Sequence, residues 1–233
     1  MWANESTTNS LLIIGGDSSL ASPLFKLAKD SSYSIYATSR RARKYNHADP
    51  ISWFTLDLES SSSIIEFLEI FREIQLQRII CLVGGTFVNT STDRGLDELQ
   101  EYYKIFTSNL FYVLEELSKN LQNNSNIIVM SSRAANSKSF DMHYAATKGA
   151  TESFVNSYSR FLDSEKSIVA VRCGLILNSR MFFDMDRKIR EHHLKLSNQS
   201  LLSLEEAAGC IWQLSPNVTA SHNGEVINIG VEY

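Results

Sequence analysis

Proline, cysteine and long apolar runs are all scarce in this chain of 233 residues. With only three prolines the backbone has few enforced breaks, which favours compact packing without a hinge. The cysteines, Cys81, Cys173 and Cys210, are odd in number and far apart, and each lies in or beside an apolar run. We interpret them as buried thiols in a reducing compartment and not as disulfides or metal ligands. Apolar runs fall well short of the ~20 residues of a membrane span, so we expect a cytoplasmic protein without membrane contact.

Charge and composition narrow the class of protein further. A formal net charge of −4 argues against a dedicated nucleic-acid binder, which is usually basic. The hydrophobic share of 43% and the charged share of 21% are ordinary for a soluble protein, and the length fits a single domain over residues 1–233. Residues 1–10 are polar and carry no positive charge, which predicts a flexible leader and not a signal peptide. His192 and His193 have no partner at metal-ligand spacing, so we expect no metal site.

Short apolar runs alternate with longer amphipathic stretches along the whole chain. Several of the short runs are rich in Ile and Val, as strands buried on both faces of a parallel sheet are. Strict alternation predicts an α/β fold, a doubly wound parallel sheet with right-handed crossovers. The predicted strands cover residues 11–14, 34–38, 52–56, 78–83, 126–130, 167–172 and 225–229. The predicted helices cover residues 19–29, 61–74, 96–120, 144–162 and 204–214.

The first strand runs into the sequence Gly15-Gly16-Asp17-Ser18-Ser19-Leu20. A glycine here lets the backbone turn tightly and approach a phosphate, while the next helix presents free amides and a positive dipole end. An ordinary strand-to-helix turn explains the same residues, and the two interpretations stay open on this motif.

The end of the second strand carries basic residues and no carboxylate, in the order Ser39, Arg40, Arg41, Arg43 and Lys44. A carboxylate at this position holds the ribose 2′-hydroxyl of NAD, whereas arginine holds the 2′-phosphate of NADP. We therefore favour NADP(H) over NAD(H) as cofactor. A solvated basic turn or a nucleic-acid patch is the alternative.

Residues after the third and fourth strands complete the predicted nucleotide-binding site. Asp57 and Leu58 follow the third strand, where they could meet an adenine ring, although Asp57 could equally cap the next helix. Gly84 and Gly85 follow the fourth strand and supply a second glycine-rich crossing.

Tyr144 and Lys148 lie four residues apart in a predicted helix, so their side chains face the same way. The ammonium can then lower the pKa of the phenol from about 10 and make it a proton donor and acceptor near neutral pH. A helix-surface pair in solvent is the alternative. Ser131 and Ser132 end an apolar run just upstream; strand register favours Ser132 as the partner, and Ser131 stays possible.

In this order the motifs resemble the short-chain dehydrogenase/reductase family in its compact single-domain form, from residue 11 to about residue 230. The resemblance implies a Rossmann-type sheet of about seven strands, a nicotinamide cofactor and assembly as a homodimer or homotetramer. It implies that Tyr144 donates a proton, Lys148 lowers its pKa and holds the nicotinamide ribose, Ser132 orients the carbonyl oxygen, and Asn109 orders a water next to Lys148. The residues matched to the cofactor are Gly16, Ser18, Ser19, Leu20, Ser39, Arg40, Arg41, Asp57, Leu58, Gly84, Gly85, Tyr144, Lys148, Gly174 and Ile176.

The chain departs from the family pattern at several cofactor positions. Leu20 and Ser22 stand where the family has glycines after Gly16, which crowds the approach of the pyrophosphate. The Asn-Asn-Ala-Gly run after the fourth strand is replaced by residues 84–87, Gly-Gly-Thr-Phe. The usual Pro-Gly after the sixth strand is Cys173-Gly174, and Asn178 or Ser179 takes the place of a threonine that touches the carboxamide.

The segment over residues 176–200 is the predicted substrate-binding loop. Met181, Phe182, Phe183 and Met185 could line an apolar pocket. A basic stretch over residues 187–195 could meet an anionic substrate, but a mixed-charge helix facing water explains it better.

The leading hypothesis is therefore an NADPH-dependent reductase of a ketone or aldehyde on a small metabolite. An NAD-linked alcohol dehydrogenase is the alternative within the fold. A non-catalytic nucleotide-binding or scaffold protein is a third hypothesis, because fold does not fix function. A serine hydrolase is disfavoured because no glycine-flanked nucleophile elbow surrounds Ser132.

Overall fold

Seven parallel strands form one sheet in the computed structural model, which describes residues 9–41, 50–87, 95–136, 139–196 and 201–230. The strand order is β3-β2-β1-β4-β5-β6-β7, so the predicted fold class is confirmed. The strands are β1 (Ser10–Ile14), β2 (Ser34–Ser39), β3 (Ile51–Thr55), β4 (Leu76–Cys81), β5 (Leu121–Ser132), β6 (Lys166–Cys173) and β7 (Val226–Ile229). Every residue of β1 is buried, which explains why this strand reads as a continuous apolar run.

Helices cover both faces of the sheet. The helices are α1 (Ala21–Asp30), α2 (Ser61–Phe71), α3 (Leu96–Lys104), α4 (Leu110–Ser118), α5 (Met142–Tyr158), α6 (Arg180–Asp184), α7 (Arg187–Leu196), α8 (Leu204–Gln213) and α9 (Pro216–Ala220). On one face α1 and α8 pack Leu24 and Ile211 against alternate strand residues such as Leu11. On the other face α2, α4 and α5 pack against residues of the opposite strand parity, such as Leu12.

The predicted helix over residues 96–120 contains a wide turn. Residues Ile105–Asn109 form a π-helical segment between α3 and α4. The hydroxyl of Thr107 donates to the carbonyl of Tyr103, and that of Ser108 donates to the carbonyl of Lys104. Such an inserted turn rotates the residues around it, and π-turns are frequent at functional sites.

The predicted leader and substrate loop differ in part from what the structure shows. Ser10, the last residue of the predicted leader, is buried in β1, and residues 1–8 lie outside the described residues. The predicted substrate loop contains the two helices α6 and α7, and residues 197–200 again lie outside the described part. Among the helices that the structure describes, none combines the length and the apolar character that a bilayer crossing requires.

The order of the strands fixes where a ligand can bind. The chain moves outward from β1 through β2 to β3, and then returns to β4 on the other side of β1. The connection that follows β1 therefore runs toward β2, and the connection that follows β4 runs the opposite way, toward β5. Between them a crevice opens at the carboxyl ends of β1 and β4.

Candidate active site

A cleft of about 1200 Å³ lies at the carboxyl edge of the sheet. Its walls come from the segments that follow β1 to β6, together with α5 and the segment around α6 and α7. This volume exceeds the ~300–1,000 Å³ of an ordinary small-molecule pocket, so an extended ligand and a second small molecule fit together.

Tyr144 and Lys148 both face this cleft from the first turns of α5. Asp141 caps the helix, since its Oδ1 accepts a hydrogen bond from the backbone N–H of Tyr144 at 2.9 Å. Both side chains are buried, with 7% of Tyr144 and 6% of Lys148 exposed. The predicted shared orientation is therefore present, whereas a solvent-exposed pair is not.

The Lys148 ammonium is directed at the sheet. Its Nζ donates to the carbonyl of Val83 at 3.2 Å and to that of Met130 at 2.9 Å. It lies 5.8 Å from the centre of the Tyr144 ring. Lys148 thus connects α5 to the ends of β4 and β5.

Burial dominates the protonation of both groups. It raises the pKa of Tyr144 to about 12; a hydrogen bond with Ser132 opposes this, while Cys173 and Asp141 reinforce it. Burial also lowers the pKa of Lys148 to about 8. The expected lowering of the phenol pKa by Lys148 is therefore wrong in this arrangement, because desolvation of the buried phenol is the largest influence on its pKa.

The two serines at the end of β5 have different partners. Ser131 Oγ donates to Glu152 at 2.7 Å, and Glu152 forms a largely buried ion pair with Arg172 at 2.6 Å. Ser132 Oγ accepts from the backbone of Ala134 at 3.2 Å, and its hydroxyl also hydrogen-bonds Tyr144. The structure therefore brings Ser132 to the phenol, while Ser131 belongs to a structural network.

The fourth predicted catalytic residue is Asn109. It ends the π-helical turn, and its Nδ2 donates to the carbonyl of Leu58 at 2.7 Å. Its side chain does not line the cleft. Asn109 joins the start of α4 to the segment that follows β3.

The first turn places its glycines differently from the prediction. Gly15 has a φ of +89° and lines the cleft, whereas Gly16 packs against the sheet. A Cβ on Gly16 would lie 2.6 Å from the Trp53 ring and 3.0 Å from the carbonyl of Thr38. Gly16 is thus required by packing, and Gly15, which the sequence did not single out, faces the ligand space.

Leu20 occupies the space that a second glycine would leave open. It is 7% exposed, borders the cleft and precedes α1 as an N-cap without a side-chain hydrogen bond. Ser18 and Ser19, which are predicted to contact the cofactor, line the cleft beside it.

A carboxylate reaches the end of β2 from the first turn. Ser39 Oγ donates to Asp17 Oδ2 at 2.5 Å, and both residues line the cleft together with Arg40. Arg41 does not line it, and Arg43 and Lys44 lie outside the described residues. Sequence reasoning missed Asp17 because the carboxylate was sought on β2 itself.

The segment after β3 lines the cleft through Asp57 and Leu58. Asp57 is not the helix cap, because Ser60 accepts from the backbone of Ser63 and caps α2. The Asp57 carboxylate instead accepts from the backbone of Glu59 at 3.1 Å.

The two glycines after β4 make room for side chains. A Cβ on Gly84 would lie 2.9 Å from Lys148 Nζ, and one on Gly85 would lie 3.0 Å from the Phe106 ring. Tyr102 donates its hydroxyl to the carbonyl of Gly85 at 2.7 Å. The side chains of Lys148, Phe106 and Tyr102 thus pack against the segment after β4, at the place where the family pattern has asparagines.

The segment after β6 forms another wall of the cleft. Cys173, Gly174, Ile176 and Ser179 line it, while Asn178 does not. Burial raises the pKa of the Cys173 thiol to about 12, so the thiol is protonated at neutral pH. Ser179 Oγ caps α6 by accepting from the backbone of Phe182 at 3.1 Å.

The remaining lining is largely apolar and aromatic. Met181 and Met185 line the cleft as predicted, whereas Phe182 does not, and Phe183 is 60% exposed and also lies outside the lining. Sequence reasoning missed part of this wall because its residues come from separate elements. These additional lining residues are Phe87, Tyr102, Phe106, Phe140 and Ile189.

The residues present fit a dinucleotide in most respects. Hydroxyls and main chain line the first turn, hydroxyl and guanidinium groups end β2, and an ammonium lies beneath the phenol. The glycines at positions 15, 84 and 85 keep the backbone accessible where a ligand would pass. Leu20 is the exception, because its side chain narrows the approach to the N-terminus of α1.

Comparison with known proteins agrees with this geometry. The family described as short chain dehydrogenase matches residues 10–191, which is most of the chain. The chain therefore belongs to the short chain dehydrogenase family and is an NAD(P)-dependent oxidoreductase. Among curated proteins, nothing matches it.

Solved structures share the fold at low sequence identity. A short chain dehydrogenase family protein from Francisella tularensis has a TM-score of 0.81 at 15% identity, covering 95% of this chain and 97% of its own. A glucose/ribitol dehydrogenase of this family from Brucella melitensis has a TM-score of 0.80 at 19% identity, with coverage of 95% and 94%. BdcA in complex with NADPH has a TM-score of 0.76 at 14% identity, with coverage of 95% and 92%.

Replacing Gly84 with alanine should displace the Lys148 ammonium, because the new methyl group would lie 2.9 Å from Nζ. Nζ cannot move without loosening its bonds to two carbonyls. We expect affinity for the nicotinamide dinucleotide, measured by fluorescence titration, to fall about tenfold.

Gly149→Ala is the matched control for this substitution. It lies in the same helix as Lys148, and its added Cβ would come no closer than 3.9 Å to Ala135. It should leave dinucleotide affinity unchanged and add up to about 1 kcal/mol of stability. Equal affinities for both variants and the parent protein would show that Gly84 does not set the position of the ammonium.

Lys148→Met should change how the free energy of unfolding depends on pH. The folded pKa of Lys148 is lowered from 10.5 to about 8, so the unfolded chain takes up the proton first as the pH falls. Burying the charged ammonium therefore costs stability, and this cost is absent above about pH 10.5 and grows as the pH falls to about 8. Relative to the methionine variant, the parent protein should lose roughly 3 kcal/mol at most across that window.

Urea unfolding at about pH 7.5 and about pH 10 measures this difference. Tyr144 is present in both proteins, so its own titration cancels. A parent-minus-variant difference that is the same at both pH values would mean that the ammonium keeps an ordinary pKa.

Proposed function

We propose that the protein is an NADPH-dependent reductase of a ketone or aldehyde on a small metabolite. The observation that carries the proposal is a buried phenol, Tyr144, which hydrogen-bonds Ser132 and has Lys148 one turn further along α5. All three line one cleft.

In this proposal Tyr144 donates a proton to the carbonyl oxygen of the substrate. Its raised pKa keeps the phenol protonated at neutral pH, which suits reduction better than oxidation. Ser132 holds the carbonyl oxygen by a hydrogen bond. The nicotinamide cofactor supplies the hydride when it is bound.

Lys148 and Asn109 support the donor from further away. Lys148 carries a positive charge at neutral pH, which would stabilise the phenolate left after proton donation, and it would hold the nicotinamide ribose. Asn109 acts in positioning, since its bond to the Leu58 carbonyl holds the π-helical turn against the cleft wall.

Arg40 supports NADPH as the cofactor. It is exposed at the end of β2 and lines the cleft. In this type of fold a guanidinium after the second strand holds a 2′-phosphate. Among proteins of this fold, BdcA is known in complex with NADPH.

Asp17 supports a second candidate, an NAD-linked alcohol dehydrogenase. Its carboxylate bonds Ser39 at 2.5 Å and so lies at the end of β2, where a carboxylate accepts a ribose hydroxyl. A 2′-phosphate at the same place would be repelled by it.

The proposed setting is a homodimer or homotetramer in the cytoplasm, acting on a small carbonyl or alcohol compound without nucleic-acid or membrane partners. The helices that carry Asn109 and Tyr144 would form the contact. Exposed apolar side chains on or beside them support this, namely Leu96, Tyr112 and Phe161, which is 80% exposed. The free thiols of Cys81, Cys173 and Cys210 suit a reducing compartment.

Tyr144→Phe should keep NADPH binding and abolish turnover, because the ring remains and the proton donor is lost. Screening a panel of ketones, aldehydes and sugars for loss of NADPH absorbance identifies a substrate for the test. The variant should then fall at least ~100-fold in kcat.

Tyr158→Phe is the control, since its hydroxyl is on the same helix and bonds Ser118 at 2.7 Å, far from the cleft. It should turn over at the parent rate. Parental turnover by Tyr144→Phe would refute the proton-donor role, and failure of the parent protein to bind NADPH or NADH would favour a non-catalytic member of the fold.

Substitutions at Arg40 and Asp17 should separate the two cofactors. Arg40→Gln should lower the affinity for NADPH about tenfold and leave the affinity for NADH nearly unchanged, because only NADPH carries the 2′-phosphate. Asp17→Asn should strengthen NADPH binding by removing a like charge. Parallel titrations decide the matter: tighter NADH binding by the parent protein would establish the second candidate in place of the first.

A further inference from the structure

The first turn offers a phosphate fewer contacts than its position suggests. Several of its amides are already used within the protein: Gly16 donates to the carbonyl of Thr38 at 2.8 Å, and Ser18 donates to that of Gly15 at 3.0 Å. Leu20 narrows the approach, and Asp17 adds a negative charge. A pyrophosphate, which carries two negative charges, therefore needs a positive charge from another segment.

Arg180 is attached to this turn. Its backbone N–H donates to Ser19 Oγ at 2.9 Å, although 161 positions separate the two residues. Ser179, which precedes Arg180, also anchors the start of α6, because its Oγ donates to the carbonyl of Ile176 at 2.9 Å. The start of α6 is thus held against the phosphate turn.

Arg180 lines the same cleft as Ser18 and Ser19. Its Nε lies 3.4 Å from the Asp184 carboxylate, in a pair that is largely exposed. An exposed pair of this length contributes little, so the guanidinium can exchange that partner for a phosphate at small cost.

Other cations that line the cleft stand at other places. Arg40 follows β2, Arg133 follows β5, and Lys148 lies beneath Tyr144. Arg180, by contrast, is hydrogen-bonded to the phosphate turn itself.

We propose that Arg180 binds the pyrophosphate of the cofactor and makes up for the glycines that the first turn lacks. The inference rests on the proposed function only in requiring a nicotinamide dinucleotide, and not on the substrate or the direction of the reaction.

Arg187→Gln provides a matched control for Arg180→Gln. Both arginines are exposed and pair with a carboxylate four residues later, Asp184 for Arg180 and Glu191 for Arg187. Arg187 does not line the cleft. The two variants therefore lose the same kind of surface ion pair and differ in access to the cofactor.

The experiment is a fluorescence titration of each protein with NADPH and with NADH. Arg180→Gln should weaken both cofactors about tenfold, because the pyrophosphate is common to them, and Arg187→Gln should stay within about twofold of the parent protein. Arg180→Lys should recover part of the loss by restoring the charge without the planar fork. Thermal unfolding of all variants checks that the fold is intact.

Three outcomes would overturn the inference. Unchanged affinity of Arg180→Gln for both cofactors would remove Arg180 from the site. Weakening of NADPH without weakening of NADH would assign Arg180 to the 2′-phosphate and leave the pyrophosphate without it. If the parent protein bound neither cofactor, the proposed function would fail and this inference with it, whereas the first two outcomes leave the proposed function standing.

Discussion

The bond between the Lys148 ammonium and two main-chain carbonyls determines the geometry of the candidate site. Val83 follows β4, and Met130 lies near the carboxyl end of the neighbouring strand β5. The Lys148 side chain therefore connects α5 to both strands. Because Tyr144 is one turn earlier on the same helix, its phenol is carried to the cleft by that bond. The glycine at position 84 follows from the same constraint, since a side chain there would occupy the space of the ammonium.

The burial of Tyr144 and Lys148 that fixes this arrangement also determines the pKa values of both groups. A desolvated phenol holds its proton and a desolvated ammonium releases its own more easily, so burial moves the two pKa values apart. Attraction between the charged forms would instead lower the pKa of the phenol and raise that of the ammonium. Spacing along a helix predicts that two groups are neighbours. It does not predict whether charge attraction or desolvation decides their protonation, because that depends on depth in the protein.

Local patterns in the sequence were enough for the sheet and for the core of the site. Strands buried on both faces read as apolar runs, and the four-residue spacing placed Tyr144 and Lys148 together. The features that could not be predicted depend on contacts between distant segments. Asp17 reaches Ser39 across 22 positions, and Asn109 turns to Leu58 through a π-helical insertion. The choice between Gly15 and Gly16 depends on a tryptophan from β3, which no local pattern reveals.

The departures from the family pattern are unevenly distributed, and this bears on what the chain does. Around the phenol, the substitutions are matched by local packing: glycines at positions 84 and 85 leave space for Lys148 and Phe106, and the Tyr102 hydroxyl bonds the carbonyl of Gly85. At the first turn, Leu20 reduces access to the backbone without an equivalent local replacement. A protein that had lost its chemistry would have no reason to keep a buried ammonium, since desolvating a charge costs stability. The presence of this costly group therefore supports the proposed function, with a cofactor held by side chains as well as by the backbone.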